Sequence, residues 1–408
     1  MKHQNKSRRE FNYIVPMIVM AAAGFTFNTS EMIPVGLLSD IGANLGVSEA
    51  KTGLLITAYA WVVALLSLPL MLTFARVPYR KLMLGIIAIF IISHFLSAFA
   101  GSYNMLLASR IGVALTHCIF WSIAPAMIVA VAPPDKRAAA LSVLVAGGGM
   151  ALIIGLPLGR IIGLIAGWRI AFGSIGILAI LLFIFMRMFY PDVNREAETV
   201  SRKQLIYDML HCPQLIMIYL IIGVTVTGHY TGYSYIEPFL GQIAGFSESA
   251  ITWTLTLFGV AGLLGSVIAG EGYTRNSRAM IIVSCFGIPF MLLMLRPAAN
   301  ISPILLAALC IPWGIAMTTL NIALQNDIVR LFPHDSAVPM SIYSGTFNLG
   351  IGAGALVGGI ATNNSCLGQI GYIGGSIAIC TAIFCLLVYI PARQRTFSGN
   401  NSSDTCSN

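Results

Sequence analysis

Charge is what this sequence has least of. Only 9% of its 408 residues are Asp, Glu, Lys or Arg, against about 25% in an ordinary soluble domain. Polar stretches are equally scarce: the sizeable interior one is "PDVNREAETVSRKQLIYDMLHCPQ", residues 191 to 214. These shortages exclude a separate soluble domain. The eight cysteines, Cys118, Cys212, Cys285, Cys310, Cys366, Cys380, Cys385 and Cys406, include no CxxC pair and lie mostly inside apolar runs, so they read as small packing residues rather than disulfides or metal ligands. There is no HExxH motif, no pair of catalytic carboxylates and no extramembrane domain to bind a donor, so an enzyme is not expected.

What is present in abundance is apolar sequence: 57% of the residues are hydrophobic and the mean hydropathy is +0.85. A membrane span needs roughly 20 apolar residues, and the chain has room for about twelve joined by short connections. The expected spans are 11 to 39, 50 to 75, 82 to 100, 103 to 131, 138 to 164, 169 to 190, 214 to 239, 248 to 270, 279 to 296, 301 to 329, 337 to 362 and 368 to 391. All should be helices, since open sheets leave backbone groups unpaired in lipid and a barrel would show short alternating segments. The first apolar run outlasts the core of a signal peptide and more spans follow it, so an uncleaved first span is expected.

The net charge of +8 would suggest nucleic acid in a soluble protein, but here the basic residues fall in alternate loops. Lys2, Lys6, Arg8, Arg9, Arg76, Arg80, Lys81, Lys136, Arg137, Arg187, Arg195, Arg202, Lys203, Arg275, Arg278, Arg330, Arg393 and Arg395 are 18 of the 23 Lys and Arg. They share one side if both termini are cytoplasmic, which is the positive-inside orientation. The expected partner is a lipid bilayer, not nucleic acid.

The two halves match when shifted by 199 residues: Gly155 on Gly354, Gly159 on Gly358, Ser142 on Ser341 and Arg76 on Arg275. The expected organisation is a six-helix bundle over 1–190, a cytoplasmic linker over 191–213, a second six-helix bundle over 214–391 and a disordered cytoplasmic tail over 392–408. Paired halves of six spans are the arrangement of transporters whose substrate site lies near the bilayer midplane.

Ionisable groups inside spans cost at least about 2.5 kcal/mol at the bilayer centre, so each needs a reason. The candidates are Glu31, His94, Arg110, His117, Arg160, His229, Glu237 and Asp327. Glu31 stands in a run otherwise uncharged from Phe11 to Ser39, and a carboxyl in a partly dehydrated cavity is suited to exchanging protons; the alternative is an interhelical hydrogen bond. Arg110, His117 and Trp121 follow at spacings of seven and four, which puts them on one helical stripe. Arg110 either stitches helices through backbone carbonyls or acts in gating. His117 either shares proton work with Glu31 or only bonds a neighbouring helix.

In "GHYTGYSYIEPF", His229, Tyr233 and Glu237 recur every four residues with Tyr230 alongside, a stripe too polar for lipid. It suits a hydroxylated solute, because tyrosine offers a ring face and a hydroxyl; an interfacial aromatic belt is the other reading, strongest for Tyr235 and Glu237. Trp121, Tyr230 and Tyr233 would stack on a sugar ring, and Asn28, Asn321, Gln325 and Asn348 would bond its hydroxyls. The amides equally suit helix–helix hydrogen bonds. Asp327 reads as an interfacial ion pair with Arg330, and His94, with no ionisable neighbour in its own span, as structural. Gly155, Gly159, Gly354 and Gly358 permit close helix approach, and Pro157 breaks the local backbone ladder.

Twelve spans, Arg110, "GLPLGR" followed by "GWRIAF", and the glycines of the eleventh span resemble the major facilitator superfamily, in its branch of proton-coupled drug and sugar exporters. "FNTSEMIPVGLLSDI", "TAYAWVVALLSLPLML", "SRIGVALTHCIFWSI", "GLPLGRIIG", "HYTGYSYIEPF" and "FNLGIGAGALVGG" are similar to bacterial SotB-like sugar efflux transporters, along nearly the whole chain. The resemblance implies an all-α fold of 6+6 helices around a central cavity lined by spans 1, 4, 7 and 10. It implies export of small sugars such as arabinose and related galactosides across the bacterial inner membrane, driven by a proton gradient without a cofactor, by a monomer. Arg80 and Lys81 match the basic end of the superfamily's loop after span 2. Arg76 replaces its acidic residue there, and Val113 and Ala114 stand where glutamine and glycine usually follow the span-4 arginine.

Overall fold

The computed structural model describes residues 2–74, 76–192, 207–332 and 336–398, all helix, turn or loop, with no strand among them. Eleven helices among the described residues are long and apolar enough to cross a membrane. One of them, Glu248–Ile301, has 54 residues, twice what a crossing requires, and is broken at Asn276 (φ −156°, ψ 76°). Counted as two crossings, it brings the total to twelve.

The helices are α1 (Lys2–Gly36), a short α2 (Leu38–Leu45), α3 (Glu49–Thr73), α4 (Tyr79–Ala98), α5 (Tyr103–Val131), α6 (Arg137–Met150), α7 (Leu156–Ala166) and α8 (Trp168–Phe189). They continue as α9 (Pro213–Tyr233), α10 (Glu248–Ile301), α11 (Pro303–Leu331), α12 (Ala337–Asn363), α13 (Ile370–Phe384) and α14 (Ile390–Ser398). Their starts follow local chemistry. Ser102 and Ser247 accept hydrogen bonds from the amides of Met105 and Ala250, and Ser302 from that of Ile304, so each serves as an N-cap. Pro213 and Pro303 open α9 and α11, where a missing N–H costs nothing.

Two compact units form: Met1–Val47 with Leu65–Ala197, and Ser48–Ala64 with Glu198–Asn408. In the first, α1 packs on the span made by α6 and α7, and α4 packs on α5 and α8. In the second, α9 packs on α12 and α13, and α10 on α11 and α13. Large apolar side chains such as Ile92, Ile165, Val267 and Ile304 point outward, as expected when the solvent is lipid, while Arg110, Arg160, His94, His117, His229 and Asp327 are buried inside their units. That inside-out distribution is what a membrane imposes.

Glycines set the closest approaches. A methyl on Gly155 would collide with the Thr29 side chain, and one on Gly159 would lie 2.9 Å from Ile33 Cγ1. In the second unit, methyls on Gly354 and Gly358 would lie 2.5 and 2.6 Å from the carbonyl oxygens of Thr227 and Thr231. Ahead of Pro157 the α-helical ladder gives way to a π turn, Ala151–Gly155, which is how this span accommodates the proline.

Three expectations need correction. The seventh span was expected to run to 239, but α9 ends at Tyr233 and only the turn Ile236–Pro238 follows before a π turn at Phe239–Ile243. Glu237 therefore leaves the stripe of His229 and Tyr233. The packing supplies a reason: Tyr235 is fully buried, and its Cδ2 lies 2.7 Å from where a Gly358 side chain would begin. Second, the tail expected to be disordered from 392 continues as helix to Ser398, because Arg393 is drawn into a buried ion pair with Asp327. Third, that pair displaces Arg330 as the partner of Asp327; Arg330 instead lies over the Phe397 ring, 4.2 Å from its centroid. Most of the linker, 193–206, and the end of the tail, 399–408, lie outside the described residues.

Candidate transport site

The first unit gathers its ionisable groups between α1, α4 and α5. Glu31 Oε2 lies 3.7 Å from His117 Nε2. One residue earlier on α1, Ser30 receives Arg110: Nη1 donates to its carbonyl oxygen at 3.0 Å and to its Oγ at 3.3 Å. Ser30 Oγ in turn lies 2.8 Å from His94 Nε2. Arg110 can only donate, so Ser30 Oγ accepts from the guanidinium while it shares a hydrogen bond with His94. This arrangement holds a guanidinium, two imidazoles and a carboxyl inside one apolar wall, in which Phe27 stacks on Phe120 at 4.3 Å and lies 4.3 Å from Phe90. Arg110 also sits over Phe172, 5.7 Å from the ring centroid.

One turn before Glu31, Asn28 donates from Nδ2 to the Gly148 carbonyl at 3.2 Å and accepts from Trp121 Nε1 at 3.1 Å. The stripe Arg110, His117, Trp121 on α5 thus meets α1 at Ser30, Glu31 and Asn28 in turn. Arg160 donates to the Gly36 carbonyl. Arg80 binds Asp192 at 3.2 Å and the Arg187 carbonyl at 2.6 Å, tying the start of α4 to the end of α8; Lys81 is exposed.

The second unit supplies aromatic and amide groups. His229 lies on Tyr233 with ring centroids 5.3 Å apart and planes 15° from parallel, and Tyr230 meets His229 edge-on at 4.9 Å. Phe258 of α10 and Trp313 of α11 complete this cluster, each within 6.0 Å of His229. Gln325 donates to Asn321 Oδ1 at 3.1 Å, which also accepts from Tyr343 Oη at 2.7 Å. Asn348 donates to the Ser344 carbonyl on its own helix at 3.0 Å, so no hydrogen bond among the described residues links it to Asn321 or Gln325.

Sequence reasoning did not single out Phe258, Trp313 or Tyr343, and it read His94 as structural without finding its partner. His94 was weighed only against its own span, whereas its partner Ser30 is 64 residues away. Phe258, Trp313 and Tyr343 are ordinary residues for an apolar span and carried no signal.

Buried polar groups within two units of long apolar helices define a helical membrane transporter. The family model described as the Major Facilitator Superfamily matches residues 19–339 and again 231–405; the chain belongs to that superfamily. Among solved structures it is similar to a D-xylose–proton symporter, at 17% identity over 93% of this chain and 98% of that one, with a TM-score of 0.73. It is also similar to a bacterial homologue of the human lysosomal transporter Spinster, solved inward-facing and unoccupied, at 17% identity over 96% of this chain and 98% of that one, with a TM-score of 0.70.

Proposed function

We propose that this transporter exports small sugars, such as arabinose and related galactosides, across the bacterial inner membrane in exchange for protons, as a monomer with both termini in the cytoplasm. The observation that carries the reading is the adjacency, on α1 and α5, of a titratable pair and a hydrogen-bonding pair: Glu31 with His117, and one turn away Asn28 with Trp121. A proton carrier must sense the solute, and groups one turn apart on shared helices can do so. The relation to a sugar–proton symporter is a further support, at the level of fold.

In the proposed cycle, sugar binds from the cytoplasm while Glu31 is ionised. The two bundles rock, the outward side delivers a proton to Glu31, and sugar leaves; the protonated empty carrier returns and gives the proton up to the cytoplasm. Gly155, Pro157, Gly159, Gly354 and Gly358 are the close contacts along which helices shift, and Arg110, Arg80 and Lys81 act in gating. Asn28, Trp121, His229, Tyr230, Tyr233, Asn321, Gln325 and Asn348 hold the sugar.

A second reading, export of drugs or nucleosides, is favoured by one feature: the packed rings of His229, Tyr233, Phe258 and Trp313, which suit any amphipathic ring. Counterflow of labelled arabinose in proteoliposomes, across imposed pH gradients and against competing sugars, nucleosides and drugs, separates the two. Counterflow of a labelled nucleoside or drug, with none of arabinose, would discard the sugar reading.

A further inference from the structure

A groove in the second unit is lined by none of the residues assigned to transport. It lies between the second half of α10 and α13, holds about 430 Å³, and is walled by α10 from Val283 to Leu293 and by Ile379 of α13. Val283, Phe290 and Ile379 are 69%, 54% and 37% exposed and form its rim. Pro289 is buried beneath them, and Gly287 has no side chain to fill the space. The two helices close on each other beyond both ends of the gap. A Cβ on Gly375 would lie 2.7 Å from Leu293 Cγ, and at the other end the Cys285 thiol meets that of Cys385. These two contacts also show that the helices run antiparallel.

Every residue lining the groove is apolar, so water would find none of the polar partners it needs there. From Val283 to Leu293 the helix rises about 15 Å, which is one leaflet's share of a hydrocarbon core about 30 Å thick. The groove therefore has the length and polarity of a single acyl chain lying along the membrane normal. Its Cys285 end leads to a basic surface. Arg278 precedes Val283 on α10, and Arg395 follows Cys385 on α14; both are exposed, and neither has an ion-pair partner among the described residues. Glu271, the exposed acid on this part of α10, lies beyond the break at Asn276 together with Arg275, so it offsets Arg275 and leaves Arg278 and Arg395 as the positive charge above the groove.

We propose that this groove binds one anionic glycerophospholipid from the leaflet at its basic end. One acyl chain lies over Gly287 between Phe290 and Ile379, and the headgroup phosphates accept from Arg278 and Arg395, whose guanidinium forks suit a phosphate. The site is independent of which solute the transporter carries.

The test uses the purified full-length protein in phosphatidylcholine nanodiscs containing a trace of phosphatidylglycerol with a diazirine midway along one acyl chain. Phosphatidylcholine with the same diazirine chain is the control, and the labelled residues are mapped by mass spectrometry. Phosphatidylglycerol should label residues 283–293 and Ile379 well above outward-facing positions such as Ile92 and Val267. It should label the groove about fivefold more strongly than phosphatidylcholine for each of the two arginines, about thirtyfold in all. Arg278→Gln with Arg395→Gln should bring it down to the phosphatidylcholine level, and Val283→Trp, at the exposed rim, should lower labelling by both lipids. In the wild type, groove labelling no stronger than at Ile92 and Val267, or equal labelling by the two lipids, would overturn the proposal. Phosphatidylglycerol labelling that survives the double glutamine substitution would overturn it as well.

Discussion

Replacing Asp327 by asparagine should destabilise the second unit by about 3–5 kcal/mol, the range for removing one partner of a buried ion pair. The carboxylate is completely buried and accepts four hydrogen bonds: from Tyr273 Oη at 2.6 Å and Arg393 Nη2 at 2.7 Å on Oδ1, and from Arg393 Nε at 2.6 Å and Tyr389 Oη at 2.7 Å on Oδ2. Asparagine keeps the volume but turns an NH2 toward donors and leaves the guanidinium without its counter-charge. Arg393→Met strands the carboxylate instead and should cost a similar amount. The double replacement Asp327→Leu with Arg393→Met removes both charges, so its cost should fall well below the sum of the singles. Reversible unfolding in mixed micelles by added SDS measures all three. Singles costing under about 1 kcal/mol, the surface-pair range, or a double equal to their sum, would refute the account of this cluster.

Other consequences follow from contacts rather than charge. Gly354→Ala drives a methyl to 2.5 Å from the Thr227 carbonyl oxygen, and should cost about 1–3 kcal/mol as overpacking, whereas Gly149→Ala, inside a helix and meeting nothing within 4 Å, should hold or raise the melting temperature. Asn28→Leu deletes the bonds to Gly148 and Trp121 and, on the proposed role, raises the half-saturating arabinose concentration in counterflow about tenfold, one hydrogen bond or two at roughly 1 kcal/mol each; an unchanged value would remove Asn28 from the binding residues.

The spans were legible because lipid leaves little choice: a crossing must be a long apolar helix, and charges collect at its ends. What sequence could not show were the places where tertiary contacts decide. The break after Tyr233 depends on where Tyr235 is buried, which the local run "GYSYIEPF" does not reveal. Asn276 falls in a segment expected to be a connection, yet helix resumes at once because its Oδ1 accepts from the Ala279 amide at 2.9 Å. Asp327 was matched with the arginine nearest in sequence, when the one that reaches it is 66 residues away. In the candidate site, periodicity correctly put Arg110, His117 and Trp121 on one face, since spacing within a helix fixes direction. It gave no hint of Ser30 and His94, because a hydrogen bond between helices leaves no trace in either one's spacing.

In the proposed cycle Glu31 is the group that couples solute export to protons. Its most direct test is export of labelled arabinose by Glu31→Gln in proteoliposomes, with and without an imposed pH gradient. The account predicts that this variant still exchanges arabinose across the membrane at equal pH but no longer accumulates it against a concentration gradient when the pH gradient is applied. Full gradient-driven accumulation by Glu31→Gln would contradict it.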